Sequence, residues 1–183
     1  MKPIPGSLLI APPNMTDTRF SKSVLLVTHH NSQGTFALCL NRPTSHSLAS
    51  LKDQLELDKE LPFQLYWGGP VNHGTIWMLH DDSWESEHTI YVDAKWRVTS
   101  HMSMFHHMAD GDCPRTFRLV YGFASWAPGQ LEMELKGVPP FNKESSWIFT
   151  GKSEPEWVFE TDVDSLWADS TELAGNQAID TWL

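Results

Sequence analysis

The sequence predicts a mixed α/β fold in which one partly antiparallel sheet is flanked by helices. Apolar, β-rich runs are interleaved with segments of helical spacing, which favours a sheet covered by helices. The early runs are joined by connections too short for a parallel crossover, so part of the sheet must be antiparallel. With 183 residues, 40% of them hydrophobic, we expect residues 1–183 to form a single domain whose core needs neither disulfide nor metal.

The predicted strands are short apolar runs bounded by turn residues. In chain order they are Gly6–Ala11, Ser23–Thr28, Thr35–Leu40, Gln64–Trp67, Thr75–His80, Thr89–Val92, Thr116–Tyr121, Ser146–Thr150 and Trp157–Phe159. The residues His29–Gly34 predict a turn between the second and third strands, which indicates an antiparallel pair.

Four segments predict helices. Leu48, Leu51 and Leu55 recur at helical spacing within the first of them. Start and stop residues bound the others, with Ser100 as an N-cap and Gly111 and Gly137 as stops. The four are Ser47–Leu57, His101–Asp110, a helix running from Pro128 to Leu135, and an acidic C-terminal helix, 162–183, that either packs on the domain or lies at its periphery.

Acidic residues dominate the charge of the chain. The formal net charge is −10, and the sequence has no Lys or Arg after Lys152. Affinity for nucleic acids and for anionic membranes depends on clustered Lys and Arg, and no such cluster occurs here. We therefore expect no direct nucleic-acid binding and no membrane partner. The acidic end is either a solvated face or a docking site for a basic protein.

The two cysteines and the N-terminus bear on the compartment. Cys39 and Cys113 form no C-x-x-C pattern, and the apolar run Gly6–Ala11 is too short for a signal peptide. No apolar stretch approaches the roughly 20 residues of a membrane-spanning helix. We expect a cytoplasmic protein with both thiols reduced.

Three ordered segments resemble the AlgH/YqgE family of bacterial proteins. They are Gly6–Ala11 followed by Phe20–Val27 and Asn41-Arg42-Pro43; Gly68-Gly69-Pro70-Val71 with a strand ending in Leu79-His80; and Gly122–Leu135 with the sequence GFASWAPGQLEMEL. The resemblance covers about residues 6–150 and implies an α/β fold with helices packed on a curved sheet. It also implies the label of transcriptional regulator, which no residue here explains mechanistically. Cys39 departs from the small or aliphatic residue expected at that position.

The first family segment supplies Asn41 and Arg42 as candidate ligand-binding residues. An Arg side chain is a planar five-donor fork suited to carboxylate or phosphate, and Pro43 restricts Arg42 to extended geometry. The alternative is structural. In that interpretation Arg42 holds a nearby loop through backbone carbonyls or through an acid such as Glu132.

The second segment supplies Gly68 and Gly69. Backbone N–H groups unobstructed by side chains can bind an anion, although the segment lacks the Lys and Ser/Thr of a P-loop and is no dinucleotide fingerprint. The alternative is a tight turn that only glycine fits. No motif for a cofactor is present, and we expect none to be bound.

The third segment supplies Trp126, Gln130 and Glu132. Gln130 and Glu134 are four residues apart and share a helix face, whereas Glu132 points nearly the opposite way. Glu132 and Glu134 therefore do not converge as the two carboxylates of a glycosidase would. The alternative role of these acids is to cap the helix or to pack against its surroundings.

Histidine is the remaining candidate for chemistry. His101, His106 and His107 do not have the i, i+4 spacing of a helical zinc site, and the neighbours His29 and His30 point to opposite faces of a strand. We expect no metal site. His80, at a strand end within the second family segment, is the one histidine retained as a candidate.

Two functions follow from these residues. The favoured one is a non-catalytic binding or regulatory module that contacts a protein or a small anionic ligand. The alternative is an enzyme acting on a small anionic substrate, with Arg42 and the Gly68-Gly69 turn as anion receptors and His80 or Glu132 as the base. The alternative requires these segments to meet in one cleft.

Overall fold

The strands and helices are given by a computed structural model that describes residues 2–141, 143 and 146–180. Its strands are β1 Ser7–Ile10, β2 Val24–Asn31, β3 Gly34–Cys39, β4 Pro43–Ser47, β5 Gln64–Trp67, β6 Val71–His80, β7 Thr89–Tyr91, β8 Arg97–Thr99, β9 Phe117–Trp126 and β10 Ile148–Lys152. Its α-helices are α1 Ser103–Ala109, α2 Gln130–Lys136, α3 Pro155–Glu160 and α4 Leu166–Asp180, and 3₁₀ helices span Thr18–Phe20 and Leu48–Leu51.

The strands form one curled sheet, a half-barrel. Their order is β10-β1-β2-β3-β9-β6-β8-β7, with β5 also paired to β9 and β4 paired to β5. The β5–β9 pairing is parallel and the other pairings are antiparallel. The mixed, partly antiparallel α/β fold expected from the sequence is confirmed.

Strand β9 is the centre of the sheet because it has three neighbours. Along one edge it pairs with β5 at Leu119–Tyr121 and with β3 at Ala124–Trp126, while β6 occupies the other edge. Gly122 lies between the two halves with φ 73°, a left-handed conformation that interrupts the alternation of side chains. As a result Leu119 and Trp126 are both buried on the same face.

Helices cover both faces of the sheet. On one face α3 and α4 pack on a core that contains Leu26, Val120 and Leu166. On the opposite face α2 covers the β1-β2-β3 end, and α1 together with residues 48–61 covers β5 and β6. The acidic helix α4 lies against β10, β1 and β2, so within the described residues it is packed on the sheet.

Two predicted elements are wrong in type. The helix expected over Ser47–Leu57 is a 3₁₀ helix, Leu48–Leu51, followed by turns, because Glu56 has a positive φ of 53° and the leucines reach the core without a continuous helix. The strand expected at Trp157–Phe159 is part of α3, because Pro155 starts a helix and a short apolar run does not distinguish strand from helix.

Two strands were not predicted, and several predicted boundaries shift. The missed strands are β4 and β8, whose sequences are too polar to indicate a strand. Helix α4 begins at Leu166 rather than near Asp162, because Asp162 forms a turn through hydrogen bonds from Asp164 and Ser165. Met102, not Ser100, is the N-cap of α1.

Candidate functional site

Segments of all three family motifs line two adjoining clefts. The first, which we term the arginine cleft, has a volume of about 440 Å³ and is lined by Arg19, Arg42, Pro43, Trp67, Pro70 and His73. The second, the indole cleft, has a volume of about 360 Å³, and its walls include Phe20, Trp126, Gln130, Glu134 and Trp147. Arg19 and Pro70 belong to both clefts, so the two form one continuous depression.

Arg42 lies at the end of the β3–β4 connection with its guanidinium over the loop that precedes β2. Its Nη2 donates to the carbonyls of Arg19 and Ser21, and both Nε and Nη2 donate to the Ser23 hydroxyl, at 2.5–3.2 Å. These acceptors are uncharged, and Arg42 forms no ion pair with any described residue. Its Nη1 makes no hydrogen bond within the described chain. The side chain therefore holds a loop and keeps an unneutralised charge beside a cleft.

Asn41 holds the same loop without lining either cleft. Its Nδ2 donates to the Lys22 carbonyl at 2.8 Å, and its Oδ1 accepts from the Val24 N–H at 2.9 Å. Lys22 has a positive φ of 54°, which these hydrogen bonds help to maintain. The amide of Asn41 is consequently occupied within the protein.

Gly68 and Gly69 connect β5 to β6 and are buried against β9. The Gly68 N–H donates to the Tyr121 carbonyl, and the Gly68 carbonyl accepts from Cys39, both at 2.8 Å. A Cβ atom on Gly69 would overlap the Phe123 carbonyl. Close backbone packing thus accounts for both glycines, and the Gly68 N–H is not free for an anion.

In the indole cleft, Glu134 collects three hydrogen bonds. Its carboxylate accepts from Nε1 of Trp126 and of Trp147, each at 3.1 Å, and from the Gln130 amide at 3.0 Å. Gln130 also accepts from the Ala127 N–H, which ties α2 to the segment that precedes it. Trp126 and Gln130, both candidates from the sequence, are brought together around an acid that was not among them.

Glu132 points away from this cluster, as the helix geometry predicted. Its carboxylate lies 3.3 Å from Nε2 of His30, whose Nδ1 is 2.7 Å from the Thr35 hydroxyl. Thr35 is buried, so this chain of contacts has no accessible nucleophile. Glu132 lines neither cleft and does not contact Arg42.

His80 lies at the far end of β6. Val71 pairs with Phe123 and His80 with Phe117, so six residues of β9, or about 20 Å, separate His80 from the start of the strand beside Gly69. The ring is fully buried, and its nitrogens contact the Asp81 carbonyl and the Thr99 hydroxyl at 2.8 and 3.0 Å. Burial lowers the pKa of His80 from 6.5 to about 4. The structure does not bring it to the cleft of Arg42.

Sequence reasoning missed the aromatic wall of the clefts and two further basic side chains that line them. Phe20 contacts Trp67 and Trp147 with ring centroids 5.8 and 5.4 Å apart, which joins the apolar sides of the two clefts. The basic side chains are those of Arg19 and His73. Phe20 lies within the first family segment and Trp67 directly precedes the second, so membership of or proximity to a motif was the available signal.

The described part of the chain offers neither a metal site nor a reactive thiol at Cys39. No group of three His, Cys, Asp or Glu side chains there is arranged to hold a metal ion. Cys39 is buried, and burial raises the pKa of its thiol, which disfavours the reactive thiolate. None of the described helices is both long and apolar enough to cross a membrane.

Comparison with known proteins places the chain in a family. A family model described as AlgH-like matches residues 8–179. A UPF0301 protein from Idiomarina loihiensis is 31% identical over 189 residues, which cover 100% of this chain and 95% of that protein. Another, from Photobacterium profundum, is 29% identical and covers 87% of this chain and 85% of its own length.

Solved structures agree with the sequence comparison. The solution structure of the AlgH protein from Pseudomonas aeruginosa superposes with a TM-score of 0.76 at 26% identity, over 93% of this chain and 88% of that one. A crystal structure of a protein from Corynebacterium diphtheriae shares the fold, with a TM-score of 0.70 at 23% identity over 92% of this chain and 86% of that one. This chain belongs to the AlgH-like (UPF0301) family.

Proposed function

We propose that the protein is a non-catalytic binding module that holds a small organic anion in the arginine cleft. The observation that carries the proposal is the state of Arg42, whose charge faces no carboxylate and whose Nη1 is unused within the described residues. A carboxylate or phosphate oxygen is the acceptor that such a nitrogen favours. The loop contacts fix the fork in place, so little side-chain entropy is lost on binding.

The surroundings of Arg42 indicate the rest of the ligand. Trp67 and Pro43 provide apolar surface beside the charge, so a planar hydrocarbon group on the anion gains contact area. Arg19 is less available as a receptor, because it is paired with Asp17 at 2.7 Å and most of its side chain is exposed. His73 donates from Nε2 to the Gly69 carbonyl at 2.8 Å. These features favour an aromatic carboxylate over inorganic phosphate.

Binding rather than turnover is supported by the separation of the remaining candidates. An enzyme acting on the same anion needs a base within hydrogen-bond reach. His80 is buried about 20 Å along the sheet, and Glu132 is engaged with His30. We therefore do not extend the proposal to catalysis.

Titration with benzoate tests the proposal. The indole signal of Trp67 and the backbone amides of residues 42–44 are followed by NMR at constant ionic strength. Saturable shifts are expected in the unaltered protein. Arg42→Gln removes a charged hydrogen bond of about 1.5–3 kcal/mol, so its dissociation constant for benzoate should rise about ten- to hundredfold.

Asn41→Ala is the matched control for loop disturbance. It removes two hydrogen bonds to the loop that Arg42 also holds but leaves the guanidinium charge in place. Its benzoate affinity should stay close to that of the unaltered protein even if its melting temperature falls as far as that of Arg42→Gln. Equal loss of affinity in both variants, or no saturable binding at all, contradicts the proposal.

A further inference from the structure

Another cavity lies on the opposite face of the sheet, where none of the described helices covers it. Helix α4 lies against β10, β1 and β2, and the cavity opens beyond its reach over β3, β9, β6 and the β7–β8 hairpin. Its volume is about 250 Å³, and side chains from six strands line it. We term it the sheet-face cavity.

The walls of the sheet-face cavity are apolar and largely aromatic. Phe36, Trp77 and Phe123 form its sides, with ring centroids of Phe123 5.5 Å from Phe36 and 6.1 Å from Trp77. Phe36 and Ile90 are each about 40% exposed, so the apolar wall of the cavity continues to the protein surface. None of the described residues that line the cavity is Lys, Arg, Asp or Glu, and the whole chain carries a net charge of −10. An uncharged, planar apolar occupant matches this lining.

Size limits the occupant to one or two rings. An apolar cavity of about 150 Å³ is enough to hold benzene. The sheet-face cavity, at about 250 Å³, therefore has room for a molecule of two fused rings. Longer molecules would extend past its open side into water.

Polar groups at the cavity add one requirement. At the rim, Thr28 donates its hydroxyl proton to the Phe36 carbonyl, so in the neutral His29 ring Nδ1–H donates to Thr28 and Nε2 is left as an acceptor. A hydroxyl group on the occupant can donate to Nε2 of His29.

We infer that the sheet-face cavity is a second ligand site, for a neutral one- or two-ring aromatic compound that carries a hydroxyl group. The aromatic walls take the ring system through edge-to-face contacts. The rim acceptor of His29 takes the hydroxyl proton. This site is independent of the arginine cleft, which lies on the other face and selects for negative charge.

Titration with 2-naphthol tests the inference, with naphthalene as the comparison compound. The probe should shift the Trp77 indole signal saturably, and naphthalene should bind more weakly because it lacks the hydroxyl. Ile90→Trp fills the cavity from an exposed edge position and should weaken 2-naphthol binding by about tenfold or more. His29→Phe keeps a ring against Phe36 but should reduce 2-naphthol to the affinity of naphthalene.

Tyr91→Trp is the control for Ile90→Trp. It adds the same side chain at the neighbouring residue of β7, which faces the other side and is 60% exposed. It should leave 2-naphthol binding unchanged, and benzoate should not compete with 2-naphthol. The inference is overturned if 2-naphthol does not bind saturably or if Ile90→Trp binds it as well as Tyr91→Trp does. Concentration-dependent dimerisation that buries Phe36 and excludes 2-naphthol also overturns it.

Discussion

His80 makes all its hydrogen bonds inside the protein, to the Asp81 carbonyl and the Thr99 hydroxyl. Burial makes its charged form costly, so the ring remains neutral in the folded state at ordinary pH. Arg42 has the opposite environment. It is only half-buried and spreads its charge over carbonyl and hydroxyl oxygens. His80 is therefore a structural residue, because burial disfavours its charged form, whereas the charge of Arg42 remains available to a ligand.

The lowered pKa of His80 predicts a loss of stability in acid. The unfolded chain takes up a proton near its ordinary pKa of 6.5, whereas the folded chain does so only near 4. The contribution of His80 to the free energy of unfolding is complete above pH 6.5. It falls by about 3 kcal/mol in total as the pH drops to about 4.

Urea unfolding of the unaltered protein and of His80→Gln across this pH range measures the effect. The difference between their free energies of unfolding should shrink by about 3 kcal/mol from neutral pH to about pH 4, because only one of them loses the histidine contribution. A difference that stays constant with pH shows that His80 does not titrate in this way.

At the level of secondary structure, Gly122 allows β9 to serve three neighbours. Its left-handed φ shifts the side-chain alternation, so the strand can leave β5 and continue beside β3. The residue also lies against the connection from β5 to β6, where a Cβ atom would be 2.5 Å from the Gly69 carbonyl oxygen and 2.7 Å from His73 Cδ2. Gly122 thus packs closely against a segment that borders the arginine cleft.

Gly122→Ala and Gly129→Ala separate this contact from backbone strain. The two glycines have nearly the same φ, 73° and 77°, but a Cβ on Gly129 meets nothing within 4 Å. Gly129→Ala should cost about 1–2 kcal/mol of unfolding free energy from the left-handed conformation alone. Gly122→Ala should cost about 1–3 kcal/mol more from the clash. Equal costs in thermal or urea unfolding rule out the close contact.

The sequence revealed strands better than helices. The apolar runs that became β1, β2 and β3 were recognisable because both of their faces are largely buried. The segment from residue 48 to 61 buries its leucines through turns, which produces helical spacing without a helix. The run Trp157–Phe159 was too short to identify its period, so only the proline before it indicated a helix.

Over the whole molecule, three motif segments far apart in sequence meet at two adjoining clefts. Their order and residue types were visible in the sequence, whereas their convergence depends on the pairing of β9 with β3, β5 and β6. The same pairing places His80 at the end of β6 that lies away from the clefts, which no local pattern revealed. The sheet-face cavity was equally invisible, because the six strands that line it come from separate parts of the chain.

The charge of the whole chain predicts that it does not bind DNA directly. A net charge of −10 without a basic cluster opposes the counterion release that drives such binding. Fluorescence anisotropy with labelled duplex DNA at physiological salt should show no specific binding. Sequence-specific binding with a submicromolar dissociation constant contradicts the charge argument. If the protein regulates transcription, we expect a partner to make the DNA contact.

The most direct test of the central claim is where a bound organic anion sits. Intermolecular nuclear Overhauser effects between the ring protons of benzoate and the protein should connect the ligand to Pro43, Trp67 and His73, the walls around Arg42. At a benzoate concentration near the dissociation constant of the unaltered protein, the same effects should weaken strongly in Arg42→Gln and persist in Asn41→Ala. Effects that connect benzoate only to other parts of the surface, or that survive unchanged in Arg42→Gln, contradict the assignment of the arginine cleft as the binding site.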